Sequence, residues 1–402
     1  MTVSLVTRPL RDFTDGPINL TDVAGESGLL FVRDNTGFAA SHAGMRVPLH
    51  QVSAFFADVH CDSTLDIPGG GGVALGWYPF DGNGGEAIVP EVCVGALEGH
   101  DSWVTFAKGC ESQVLDLLQA APTTVANPSE YVVRPGVPID RYLAAVTTAR
   151  DAVRAGRLAK AVIARDVVVD ASQPIDVRTL LRRLAVSFGT SYRFSIDGFI
   201  GASPELLVRR SGDLVASQPL AGTTPRTGDP TVDLRLASEL RASEKNQVEH
   251  RVVIDMVHDT LLPWCSYLDW QPEPEVVAVA NVQHLGTQIE GQLSQPLPHV
   301  LDLVRALSPT PALGGHPRDT ALRLIAENEG FARGRYGGAV GWCDAQGNGT
   351  WAVAIRCAEL SLDRRQARLF AGGGIVADSD PRAELAETQA KFQAMLAAIV
   401  RP

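Results

Sequence analysis

The stretch Leu369-Phe-Ala-Gly-Gly-Gly-Ile-Val-Ala-Asp-Ser-Asp-Pro-Arg-Ala-Glu-Leu-Ala-Glu-Thr-Gln-Ala-Lys391 joins a strand-type apolar run to a helical segment through three glycines and an Asp/Ser/Pro break. In the helical part, Glu384, Glu387 and Lys391 are spaced by three and four residues. That spacing stacks two carboxylates and one ammonium on a single face. A second helical pattern, Ser243-Glu-Lys-Asn-Gln-Val-Glu-His-Arg-Val-Val-Ile-Asp255, carries Glu249 beside His250. Carboxylates from two such distant segments suit one hard cation, Mg²⁺, and an anionic ligand. Either segment alone reads more simply as solvated helix charge.

Composition bounds what surrounds them. The 402 residues are 45% hydrophobic and 20% charged, the balance of a soluble globular protein with ample core. No stretch is long and apolar enough to span a bilayer, and Met1-Thr-Val-Ser-Leu-Val-Thr-Arg-Pro9 lacks a basic region followed by an apolar core, so a cytoplasmic location is expected. Six cysteines without paired spacing fit reduced thiols and indicate no zinc site. The net charge of -11, with no basic run interleaved with aromatics, argues against nucleic-acid binding. An anionic ligand would therefore need local positive charge. Only four lysines, Lys108, Lys160, Lys245 and Lys391, stand among 35 basic residues. Lysine, unlike arginine, can have its pKa lowered enough to act as a base.

Along the chain, residues 1–138 read as mostly strand, with runs over 28–33, 44–52, 73–78 and 88–94 and a flexible turn at Pro68-Gly-Gly-Gly-Gly72. Those glycines lack a following Gly-Lys-Ser/Thr, which argues against a phosphate loop. Residues 121–138 read as a linker. Residues 139–402 then give a helix over 139–156, a strand over 160–169, a helix over 175–188, and strands over 192–196, 199–202, 205–209 and 214–220. A turn-rich segment at 222–230 precedes a long helical region over 232–262. Strands follow near 275–293, helices over 300–307 and 318–327, and strands over 338–342, 351–360 and 366–370. Strand runs broken by isolated helices predict a largely antiparallel α+β architecture.

These residues carry a resemblance. From about Ile139 onward the chain resembles the chorismate-utilising enzymes: isochorismate synthase, salicylate synthase, anthranilate synthase component I and aminodeoxychorismate synthase. The signatures are Lys160-Ala-Val-Ile-Ala-Arg165, Gly201-Ala-Ser-Pro-Glu-Leu-Leu207, Pro219-Leu-Ala-Gly-Thr-Thr224, Glu244-Lys-Asn-Gln-Val-Glu-His250, Pro309-Thr-Pro-Ala-Leu-Gly-Gly315, Tyr336-Gly-Gly-Ala-Val-Gly-Trp342, Ile355-Arg356, and Ala371-Gly-Gly-Gly-Ile375 with Glu387-Thr-Gln-Ala-Lys391. The resemblance implies large twisted antiparallel sheets packed as a sandwich, helices outside, with residues 1–138 as its N-terminal strand-rich part and 139–402 as the chorismate-binding region.

Chorismate is a dicarboxylate with an allylic C4 hydroxyl, whose departure demands protonation while a nucleophile attacks C2 across the diene. By resemblance Lys160 is the base for an attacking water and Glu205 the general acid. Burial would favour the neutral form of each. The resemblance further implies Mg²⁺ held by Glu249 and Glu387, with Glu384 as a nearby or water-mediated contributor. It also implies substrate binding by Arg356 and Lys391, by the segments around Gly222, Thr223, Gly372 and Gly374, and by Leu313 and Ile355. His284 lies where the family has a histidine near the ring, and it reads equally as a satisfied core imidazole.

Lysine at position 160 resembles the members that add water, since the ammonia-using branch carries glutamine there. The stretch 338–358 is most similar to isochorismate synthases of catechol siderophore pathways. The resemblance therefore implies chorismate-to-isochorismate isomerisation feeding siderophore synthesis, with menaquinone and an antibiotic as alternative destinations, in a monomer without a glutaminase subunit. Salicylate synthase is the alternative, and a non-catalytic metabolite-binding subunit a remoter one. Two departures fall near the expected pocket: Gly373, where alanine is usual, and His316, where an apolar residue is frequent.

Overall fold

The strand Leu29–Arg33 is buried along both faces: Leu29 and Phe31 enter one apolar core, Leu30 and Val32 another. Side chains alternate at a period of two, so such a strand requires cover on both sides. The layering follows from that requirement. The computed structural model describes residues 4–41, 43–119 and 130–401. Their strands form sheets of 13, nine and three strands. Among the described residues every pairing is antiparallel except Ser4–Pro9 with His60–Ser63.

The two large sheets pack face to face. Phe38 of the larger meets Trp342 of the smaller edge-on, ring centroids 4.7 Å apart. Phe194 and Phe199, less than 2% exposed, fill the same inter-sheet core. Full burial of such a side chain contributes roughly 1.5–3 kcal/mol. Helices cover the outer faces. Val177–Phe188 and Pro381–Val400 pack on the larger sheet through Leu180, Leu184, Phe392 and Met395, and Val300–Leu307 packs on the smaller. The protein is thus α+β, with mostly antiparallel sheets at its centre. Tyr192–Ile196 pairs with Leu29–Arg33 and Ala339–Asp344 with Val73–Tyr78, so strands from before and after residue 138 share both large sheets. No helix of the described residues is long and apolar enough to cross a membrane. All six cysteines are free.

The structure corrects several local expectations. Part of the expected linker, 121–129, lies outside the described residues, but Tyr131–Pro135 is an edge strand on Lys160–Ala171. The Pro68–Gly72 turn is fastened: Gly69 N–H donates to Asp344 and Gly69 C=O accepts from the Trp103 indole. The helical region over 232–262 is two helices, Pro230–Ala242 and Glu244–Leu261, because Ser243 leaves helical geometry and its hydroxyl accepts from Asn246 N–H as an N-cap. Leu220–Pro225, read partly as turn, is a strand of the small sheet. Gln366–Ile375 runs straight through the three glycines as one strand.

Candidate active site

Glu205 and Arg356 stand where the chain passes between the large sheets. Phe199–Ser203 belongs to the 13-stranded sheet and Leu206–Ser211 to the nine-stranded one, so Pro204 and Glu205 bridge the gap rather than begin a strand. The return passage runs from Gly349–Val353 to Cys357–Leu360, which divides the single strand expected over 351–360. The two passages hold each other: Val353 N–H donates to Glu205 C=O and Ala202 N–H to Arg356 C=O, both at 3.0 Å. Arg356 takes φ 52°, a left-handed conformation uncommon for a residue with a side chain.

Beside these passages lies a cavity of about 290 Å³. Every site residue selected from the sequence lines it. Lys160 and Glu249 meet there, Nζ to Oε1 2.5 Å, with side chains 8% and 20% exposed. Gly374 makes room for this pair, since a Cβ on it would lie 2.5 Å from Lys160 Cε. Lys391 Nζ bridges Glu387 Oε1 at 2.7 Å and the Gly372 carbonyl at 2.8 Å. The face predicted from the three-and-four spacing thus forms on Pro381–Val400. Desolvation pushes Glu387 upward, but Lys391, Arg356 and Lys160 together hold its carboxyl below the usual range. Glu384 is raised by desolvation, and its Oε2 is buried without a hydrogen-bond partner.

Glu205 is 3% exposed, and desolvation pushes its carboxyl up to about 8 against weaker opposition from the Leu220 N–H and the Lys160 charge. A carboxyl so raised is suited to hold a proton near neutral pH, which a proton donor requires. His284 lines the cavity and is also satisfied, with Nδ1 3.0 Å from the Gly222 carbonyl and 3.2 Å from Thr223 Oγ1. Its Nε2 lies 3.1 Å from Arg356 Nη2. Leu313 and Ile355 supply apolar wall.

His316 is a correction. Its backbone pairs with Lys160, but its side chain is exposed and stands among Val252, Asp255 and Met256, outside the cavity. Gly373 does bear on the site, since a Cβ there would lie 2.7 Å from Glu384 Oε2. Sequence reasoning passed over Lys245, Asn246, Tyr336 and Phe370, which also line the cavity. Lys245 and Asn246 precede Glu249 by four and three residues, so helical periodicity pointed to them. Tyr336 stacks on Phe370 at 5.1 Å and 11°. The fully buried Glu329–Arg333 pair braces this wall: Arg333 donates to the Leu313 and Val162 carbonyls, and Glu329 accepts from Ala164 N–H.

The donor set fits Mg²⁺ in kind. Glu249, Glu384 and Glu387 offer only oxygen donors to one cavity, and the unpartnered Glu384 Oε2 calls for a cation or donor. In this arrangement two of the three are turned to lysines, and among the described residues no three His, Cys, Asp or Glu side chains are grouped closely enough to hold an ion directly.

A sheet sandwich whose inter-sheet passages carry an acid and an arginine beside a lysine-and-glutamate cavity defines an enzyme site for a small anion. The chain belongs to the chorismate binding enzyme family, whose model matches residues 91–400. It is 41% identical to isochorismate synthase DhbC of Bacillus subtilis over 280 residues, 67% of this chain and 70% of that one. It is 35% identical to isochorismate synthase EntC of Escherichia coli strain K12 over 353 residues, 86% of this chain and 84% of that one. Its fold superposes on that of MenF, the menaquinone-specific isochorismate synthase of Escherichia coli, with a TM-score of 0.85 at 23% identity, covering 99% and 94% of the two chains.

Proposed function

We propose that this protein is an isochorismate synthase, moving hydroxyl position on chorismate from C4 to C2 without redox change. The observation that carries this reading is that Lys160 and a buried Glu205, whose carboxyl desolvation raises, open onto one cavity beside Arg356. Lys160, which acts as base only after it has left its ion pair with Glu249 and given up its own proton to solvent, takes a proton from water as the water oxygen bonds to C2. The ring electron pairs shift and the C4–O bond breaks, and Glu205 delivers the proton that leaves with that oxygen as water. One water enters and one departs. Arg356 and Lys391 bind the substrate carboxylates, and the apolar wall of Leu313, Ile355 and Phe370 keeps bulk water from the ring. Local cations matter here because the chain as a whole carries -11.

Glu249 and Glu387, with Glu384, would hold Mg²⁺, which when bound neutralises substrate charge and fixes the ring. The likeness to DhbC and EntC at 41% and 35% identity supports isochorismate as product. The similarity of residues 338–358 to siderophore-pathway enzymes favours a catechol siderophore as its destination. Incubation with chorismate and Mg²⁺, followed by chromatography, tests the reading: isochorismate supports it. Salicylate with pyruvate would make the protein a salicylate synthase, and binding without turnover would make it a metabolite-binding subunit.

A further inference from the structure

His284 sits on the middle strand, Val282–Gly286, of the three-stranded sheet and is 8% exposed. One ring nitrogen faces the Gly222 carbonyl and the other faces Arg356 Nη2. A carbonyl only accepts and a guanidinium only donates. Both bonds therefore form in one tautomer alone, with hydrogen on Nδ1 and the lone pair on Nε2. Desolvation, then the charges of Arg356 and Lys391, push the ring down to about 3, which keeps it neutral. Each nitrogen is thus committed inside the protein, and neither is left to exchange a proton with a ligand.

Gly222 is part of the same device. It holds φ 69°, and a Cβ there would lie 3.1 Å from Asn246 Oδ1, so glycine is what lets its carbonyl reach the imidazole. At the other end, the buried Arg356 guanidinium bonds His284 and, at 3.4 Å, the Lys391 carbonyl. Neither bonded partner is an anion, and Glu387 acts on the guanidinium only through space. A buried cation whose bonded partners are neutral is expensive unless an anion completes it, and an arginine held in place before binding loses less rotamer freedom when that anion arrives.

We propose that His284 is a positioning residue: its neutral ring fixes the Arg356 fork so that the remaining N–H groups meet a ligand carboxylate, and it moves no proton itself. The proposal rests on reading the cavity as a site for a cyclic dicarboxylate. It distinguishes a histidine that sets affinity through arginine from one that acts on the ring.

The test compares steady-state kinetics on chorismate for wild type, His284→Leu and His284→Gln, with circular dichroism to establish folding. Leucine removes the acceptor, and KM should rise about 10- to 100-fold, the loss of a hydrogen bond to a charged group, while kcat stays within a few-fold. Glutamine can present a carbonyl oxygen to Arg356 and should bring KM back near wild type. In an Arg356→Met background, His284→Leu should add nothing further to KM. A collapse of kcat in both His284 variants would overturn the proposal in favour of direct chemistry. Unchanged KM in His284→Leu, or fully additive effects in the double variant, would overturn it as well. Wild-type protein that neither binds nor converts chorismate would instead remove the functional reading beneath it.

Discussion

Lys160 Nζ lies 2.5 Å from Glu249 Oε1, so the side chain assigned to take a proton is bonded to one assigned to a metal. The two roles are coupled by geometry, since whatever draws the Glu249 carboxylate away releases the ammonium from its partner. We expect Lys160→Ala to lower kcat by roughly 100-fold or more, the scale of general-base catalysis, while chorismate binding in the presence of Mg²⁺ stays measurable by calorimetry. Turnover at the wild-type rate would remove Lys160 from the mechanism.

Glu205 gives a pH prediction with a definite sign. Its carboxyl rises from 4.5 to about 8 on folding, chiefly through desolvation. As the proposed acid it is protonated below that value and not above it, so kcat/KM should fall about tenfold per pH unit in the alkaline limb. Stability follows the same proton. The folded state holds it between pH 4.5 and about 8 where the unfolded state does not, so this stabilisation is complete below pH 4.5 and disappears as pH rises through 8. Glu205→Gln should be inactive, and urea unfolding should find it less sensitive to pH across that window than wild type. Equal slopes would argue against the raised carboxyl.

Adjacent glycines should respond differently to alanine. At Gly373 the new Cβ would press on Glu384 Oε2 at 2.7 Å, the free end of a flexible side chain that can move aside. At Gly374 it would press on Lys160 Cε at 2.5 Å, within the pair that Glu249 anchors. Gly373→Ala should therefore keep kcat within a few-fold of wild type. Gly374→Ala should lose about 100-fold, as expected when a reacting group is displaced by about 1 Å. Melting temperatures measured in parallel separate this effect from unfolding, and equal kinetics in the two variants would contradict the packing described.

The Glu329–Arg333 pair is fully buried and ties three backbone groups of the cavity wall. Removing one partner strands a charge, which costs about 3–5 kcal/mol. Arg333→Met should lower the denaturation midpoint accordingly, and adding Glu329→Gln should recover part of the loss by deleting the stranded carboxylate. If Arg333→Met unfolds at the wild-type denaturant concentration, the pair does not brace the wall.

Much of the site could be read from the chain because its chemistry is local in sequence. Three-and-four spacing put Glu384, Glu387 and Lys391 on one helical face, and the family motifs drew Lys160, Glu205 and Arg356 into one hypothesis. Other features were hidden because their cause lies across the molecule. The three glycines looked like a break, yet they continue a strand because they pair with Val162, Ile163 and Ala164, and Lys160 and Glu384 fill the space that side chains on Gly374 and Gly373 would need. His316 stood next to motif residues and pairs through its backbone with Lys160, yet its exposed side chain stands among Val252, Asp255 and Met256, outside the cavity.

Period and composition by themselves determined the α+β class, the antiparallel bias and the helical face of Glu384, Glu387 and Lys391, since each follows from local backbone geometry, while the other candidate residues came from the resemblance of their motifs to a family. Tertiary structure alone decided that Glu205 is desolvated and its carboxyl raised, that Lys160 meets Glu249 and that His284 meets Arg356. Each of these depends on burial and on partners tens to hundreds of residues away in the chain, and desolvation and charge act through space, not along sequence.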